Sequence, residues 1–169
     1  MKKIRTVISV IILTCLSVIG YAQKKRNVGL SAGIQSNQYG ISMPVWVSDK
    51  VVLEPYIGLK YINKVGSELS LGFTPKYYFK NEKIAPYIGL GLGLVSYKPA
   101  DENVINKIAT TSFVSGFLFG IDYFLDPKFS IGVQAQGNFL FPNGSSYQMG
   151  IENNVIFNTA SAVVVSIYF

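Results

Sequence analysis

The sequence predicts an all-β fold: a transmembrane antiparallel up-and-down β-barrel of about eight strands. Three observations carry this. Eight runs alternate apolar and polar residues with a period of two. Past the N-terminal leader no stretch of about 18 apolar residues could span a bilayer as a helix, although 49% of the chain is hydrophobic and only 14% charged. The two longest connections between runs also fall at the same end of the expected barrel.

The leader comes first. Met1, Lys2, Lys3 and Arg5 make a basic start, and Thr6 to Ile19 is dominated by Ile, Val and Leu. Gly20 and Ala22 then supply small residues at the positions a signal peptidase reads, so residues 1–22 are expected to be a cleaved signal peptide, cut after Ala22. Cys15 is not a lipoprotein cysteine on this reading. Thr14 precedes it and Leu16, Val18 and Ile19 follow, which puts it inside the apolar run. The mature chain, residues 23–169, would then hold no cysteine, hence no disulfide and no thiolate ligand. It is short enough for one domain. Without Lys2, Lys3 and Arg5 the 15 basic residues fall to 12 against 9 acidic ones, a net charge of +3 that does not argue for nucleic acid.

The eight runs span about Val28 to Gln35, Tyr39 to Val47, Val52 to Ile62, Glu68 to Phe79, Ala85 to Tyr97, Thr111 to Leu125, Phe129 to Phe141 and Thr159 to Phe169. No segment sustains a helical period. In the fifth run Ile88, Leu90, Leu92 and Leu94 share one face, and Tyr87, Gly89, Gly91 and Gly93 share the other. In the sixth, Phe113, Phe117, Phe119, Ile121 and Tyr123 oppose Gly116, Gly120 and Asp122. Successive strand side chains point to opposite faces, so each strand has one greasy face and one polar or tiny face.

Two architectures share that pattern. A soluble barrel of the lipocalin kind would turn the greasy face inward. Its surface would then be Gly, Ser, Thr and Gln with few charges, a poor surface for solubility. A membrane barrel puts the greasy face towards lipid and packs small residues into a narrow lumen, and this is the reading adopted. Counted from a periplasmic N-terminus, the connections at Ser48–Lys50, Lys80–Lys83 and Asp126–Lys128 are short and polar, whereas the longest, about Lys98 to Ile108 and Pro142 to Asn158, fall on the extracellular side. That is the asymmetry of outer-membrane barrels. Closure has a physical motive, since each open backbone group in hydrocarbon costs several kcal/mol. Aromatic residues at the strand ends, such as Tyr77, Phe79, Tyr123, Tyr61 and Phe141, suit the two interfaces.

The last run carries a resemblance. Val163, Val165, Ile167 and the terminal Phe169 alternate with Val164, Ser166 and Tyr168. This resembles the C-terminal signal of outer-membrane proteins, which the barrel insertion machinery reads. Ala85 to Gly93, followed by Gly120 to Leu125, looks like the small outer-membrane β-barrel domain of Bacteroidota, with OmpA- and OmpX-like eight-stranded barrels as broader relatives. The resemblance covers nearly all of 27–169. It implies a barrel, a Gram-negative outer membrane and lipid as surroundings, not an activity. Nothing follows the barrel in this sequence, so a peptidoglycan-binding domain is not expected.

The chemistry on offer is sparse. There is no histidine, which removes the usual proton-transfer residue near neutral pH and any Ser-His-acid arrangement. No catalytic residue, cofactor or metal site is expected. The glycines at 89, 91 and 93 lack the spacing and strand-to-helix context of a phosphate loop; small lumen-facing positions explain them better. The charges assigned to the lumen are more informative. Facing residues in a hairpin have a constant number sum. Glu54 with Lys76 and Lys60 with Glu68 nearly share one, so both pairs are expected to lie opposite or nearly so, with Asp122 extending the network. The structural reading is that buried charges must be paired. The functional one is a polar constriction or gate. Eight-stranded lumens are usually filled, which favours the former. Trp46 has inward parity and is expected to plug the lumen floor.

Function follows mainly by exclusion. A non-enzymatic barrel with a largely filled polar lumen is expected, in a structural or surface-interaction role through extracellular loops such as Lys98–Asn103 and Asn143–Gln148. The alternatives are a narrow pore for ions or small solutes lined by Glu54, Lys60, Glu68 and Lys76, or an accessory barrel of a secretion or surface-assembly system. That last role would need a periplasmic partner at the short turns or at Lys24, Lys25 and Arg26.

Overall fold

A computed structural model describes residues 28–35, 38–63, 66–100, 110–142 and 154–169. The expected leader with Ala22 and Cys15, the basic residues 24–26, and most of the two long connections lie outside these. Among the described residues there are nine strands: β1 Gly29–Gln35, β2 Gln38–Ser42, β3 Val45–Trp46, β4 Val51–Ile62, β5 Gly66–Tyr78, β6 Ile84–Pro99, β7 Thr110–Asp126, β8 Phe129–Phe141 and β9 Ile156–Tyr168. Each pairs antiparallel with its neighbour, and β1 pairs with β9, which closes the sheet on itself. Phe169 N–H donates to Val28 O at 2.9 Å and tightens that seam.

The nine strands make eight staves, because β2 and β3 are halves of one. The sequence pattern runs unbroken from Tyr39 to Val47, but the ladder breaks at Met43 and Pro44. Proline has no N–H to donate, so it interrupts pairing and bends the strand. The neighbours bridge the gap: Gly29 N–H donates to Pro44 O at 2.8 Å, and Met43 N–H to Pro55 O at 3.0 Å. Both halves stay paired to β4.

Several strands run further outward than their hydrophobic patterns do. β5 begins at Gly66, β6 reaches Pro99, β7 starts at Thr110 and β9 at Ile156. Once register is set, backbone pairing continues past the last lipid-facing side chain, as at Tyr97↔Thr110 and Leu140↔Ile156. Gly66 opens β5 with φ 153°, a conformation that side chains rarely adopt.

The faces settle the choice between the two barrel architectures. Leu90, Phe119 and Val133 are 57–59% exposed on the outside, whereas Tyr78 and Tyr87 are 1–2% exposed inside. The greasy face is therefore the exterior, which rules out the soluble alternative. On β6 the exposed apolar positions run from Ile84 to Leu94. Steps of about 3.3 Å per residue over that span, tilted by roughly 40°, give a band about 25 Å high, the height of the apolar band of membrane barrels. Tyr77, Phe79 and Tyr123 edge it at the short-turn end, and Tyr61, Phe113 and Phe141 at the other. The short-turn end is read as periplasmic from the asymmetry of such barrels.

Candidate functional site

The lumen holds nearly all the buried polar chemistry, and it has two levels. The half at the short-turn end is a solid floor. Trp46 from β3, Tyr78 from β5, Tyr87 from β6, Phe124 from β7 and Tyr168 from β9 meet there with Ala85 and Leu118. Their rings pack at 4.8 Å (Trp46–Tyr78), 5.0 Å (Tyr78–Tyr87) and 5.9 Å (Phe124–Tyr168) between centroids. All five have inward parity, so the alternation that sends Leu and Ile to lipid sends these rings inside.

Charges sit directly on that floor. Lys76 and Glu54 form an ion pair, and Ser42 Oγ donates a second hydrogen bond to Glu54. The β4–β5 register sets Glu54 opposite Thr74 and Lys76 opposite Val52, so the pair is diagonal. The lysine Nζ also lies 4.8 Å from the Tyr87 ring centroid, a cation–π contact. Asp122 accepts a hydrogen bond of 2.6 Å from Tyr78 OH, and Tyr87 OH donates to Gln134 Oε1 at 2.9 Å. Tyrosine thus couples Asp122 to the network, and sequence reasoning had not identified Tyr78 for that role. Its inward parity on β5, one strand removed from Asp122's β7 across β6, was the available signal.

Lys60 and Glu68 are direct cross-strand partners, as the hairpin arithmetic predicts. No ion pair joins them, however, whereas one joins Glu54 and Lys76. Both are half-buried near the outer end of the lumen. The C-terminal positions Val163, Val165 and Ile167 face outward on β9, opposite Val133, Ile131 and Phe129 on β8, and Phe169 is 77% exposed at the seam's end.

Above the Glu54–Lys76 pair the lumen is not filled. A cavity of about 830 Å³ runs from that level towards the outer strand ends. The expectation of a largely filled interior therefore holds for the lower half only. The reason is side-chain size: Gly33, Gly40 and Gly91 line the upper part, and a Cβ placed on Gly91 would meet nothing within 4 Å. Other glycines do the opposite. Tyr56 lies in one cross-strand row with Gly72 and Gly93, and a Cβ on either would run into its ring. Tyr87 covers Gly120 in the same way, and Asp122 fits only because Gly132 opposite has no side chain.

These features define a class: a small eight-stranded β-barrel of the Gram-negative outer-membrane type, which crosses its membrane with strands. Solved structures share the fold. The N-terminal β-barrel domain of Pseudomonas aeruginosa OprF matches with a TM-score of 0.60 at 15% identity, over 84% of this chain and 95% of that one. Neisserial surface protein A matches at 0.56 and 18%, over 84% and 93%. The outer-membrane enzyme PagL is more distant, at 0.44 and 16%, over 84% and 99%. No protein-family model matches the sequence, and no curated protein does.

Proposed function

We propose that this barrel is a non-enzymatic component of the outer membrane with a structural or surface-interaction role, exercised through its extracellular end. The observation that carries the reading is the packed floor. Trp46, Tyr78, Tyr87, Phe124 and Tyr168 fill the periplasmic half of the lumen, and a route through a wall of touching rings is closed to ions. The absence of histidine weighs against proton-transfer chemistry in the outer half. Lipid is the partner of the exposed band, and the barrel insertion machinery is the proposed reader of Val163, Val165, Ile167 and Phe169.

A second reading, a narrow pore, draws support from the cavity that reaches down to Glu54 and Lys76. Conductance across a planar bilayer separates the two. The first reading expects silence from protein whose folding is confirmed by strand-rich circular dichroism. Steady current steps that change size when Lys60 or Lys76 is replaced would overturn it and make the protein a pore.

A further inference from the structure

We propose that the cavity in the outer half of the lumen is a binding site for a small amphiphilic zwitterion, a molecule carrying an ammonium and a carboxylate close together on an apolar body. The cavity lies within the 300–1,000 Å³ typical of small-molecule sites at about 830 Å³. Its floor is closed by the aromatic cluster, so a ligand enters from the extracellular end and stays there.

The lining has two characters. On the β4–β5 wall, Lys60 and Glu68 are cross-strand partners that both line the cavity and form no ion pair with each other. The deeper pair differs in kind. Glu54 and Lys76 are joined to each other, to Ser42 and to the Tyr87 ring, and have little left to offer a ligand. Directly opposed residues on paired strands have Cβ atoms about 5 Å apart. One small molecule can therefore set a carboxylate on Lys60 and an ammonium on Glu68 only if its own charges are adjacent. That favours an α-amino-acid-like head over a peptide whose termini are far apart. The lining on β7, β8 and β9 includes Val114, Leu118, Leu140 and Ile156. In an eight-stave barrel β8 and β9 stand across the lumen from β4 and β5. An apolar body projecting from the charged wall can reach the cross-strand row Val114, Leu140 and Ile156, an apolar strip near the outer strand ends beside the polar Asn138 and Asn158, and that contact removes both surfaces from water.

The test is calorimetric titration of the protein in lipid nanodiscs with L-phenylalanine as probe. Three comparison compounds each lack one feature: phenylacetate has no ammonium, phenethylamine no carboxylate, and glycine no apolar body. L-phenylalanine is expected to saturate one site, with each comparison compound at least tenfold weaker. Lys60→Gln and Glu68→Gln should each weaken it at least tenfold. Gly91→Leu should do so as well, by occupying lumen space while both charges remain in place. Circular dichroism confirms that each variant is folded. Glycine binding as tightly as phenylalanine, unchanged binding in folded Lys60→Gln and Glu68→Gln, or no saturable heat from the unaltered protein would each overturn the proposal. Conductance does not enter this readout, so the site stands or falls separately from the closed-floor reading.

Discussion

Replacing Glu54 with Gln removes one member of a buried ion pair and leaves the other in place. Glu54 and Lys76 are 6% and 7% exposed, so the stranded ammonium gains little from water. Breaking a buried pair by removing one partner typically costs about 3–5 kcal/mol. Here the cost should fall at the low end, about 3 kcal/mol, because Lys76 keeps the Tyr87 ring and remains within electrostatic reach of Asp122. Removing both charges, in Glu54→Gln/Lys76→Met, leaves no uncompensated ion and should return stability to within about 1 kcal/mol of the unaltered protein. The assay is reversible urea unfolding in lipid vesicles, followed by the fluorescence of Trp46, the chain's single tryptophan, which sits in the floor below the pair. With a urea slope of about 1–3 kcal/mol per molar, the single variant should lower the midpoint by about 1–3 M. A single variant costing under about 1 kcal/mol, or a double variant no more stable than the single, would refute the claim that burial makes these charges depend on each other.

Three further outcomes follow from the same geometry. Leu90→Arg places a charge near the middle of the apolar band and should destabilise the folded barrel by about 2–4 kcal/mol in vesicle unfolding, with Leu90→Phe close to neutral. Gly132→Ala drives a methyl into the Asp122 carboxylate and should cost about 1–3 kcal/mol; Gly91→Ala, in open space, should be neutral or slightly stabilising, and equal effects from the two would contradict the packing described. Trp46→Ala opens a gap in the floor and should cost about 3–5 kcal/mol. If the floor is what closes the lumen, the folded variant should also conduct in a planar bilayer where the unaltered protein is silent.

Much of this was legible in the sequence, and the rest was hidden for identifiable reasons. Alternation gave the strand faces directly, because a period of two leaves no ambiguity about which side chains travel together. It put Trp46 inside and Leu90 outside, and hairpin arithmetic brought Lys60 opposite Glu68 and Glu54 near Lys76. The break at Pro44 was in plain view but outweighed by the apolar pattern around it. What alternation cannot supply is height. Whether the lumen is filled depends on which inward residues stand at one level, and that is set by the stagger between strands. For this reason the open upper half was missed, as was the bond between Tyr78 and Asp122, two residues 44 positions apart.

The tyrosines lying over glycines have one more consequence. A slip of one residue between neighbouring strands would expose the polar face to lipid and is forbidden outright. Slipping by two keeps every greasy residue outside, so hydrophobicity alone does not resist it. Tyr56 does resist it: moved two positions along β5, its ring would face Ser70 or Thr74 instead of Gly72, with a side chain where a hydrogen should be. Tyr87 over Gly120 imposes the same condition between β6 and β7. The rings therefore act as teeth in notches. They fix the stagger of the staves, and with it the girth of the cylinder and the bore of the chamber above the floor.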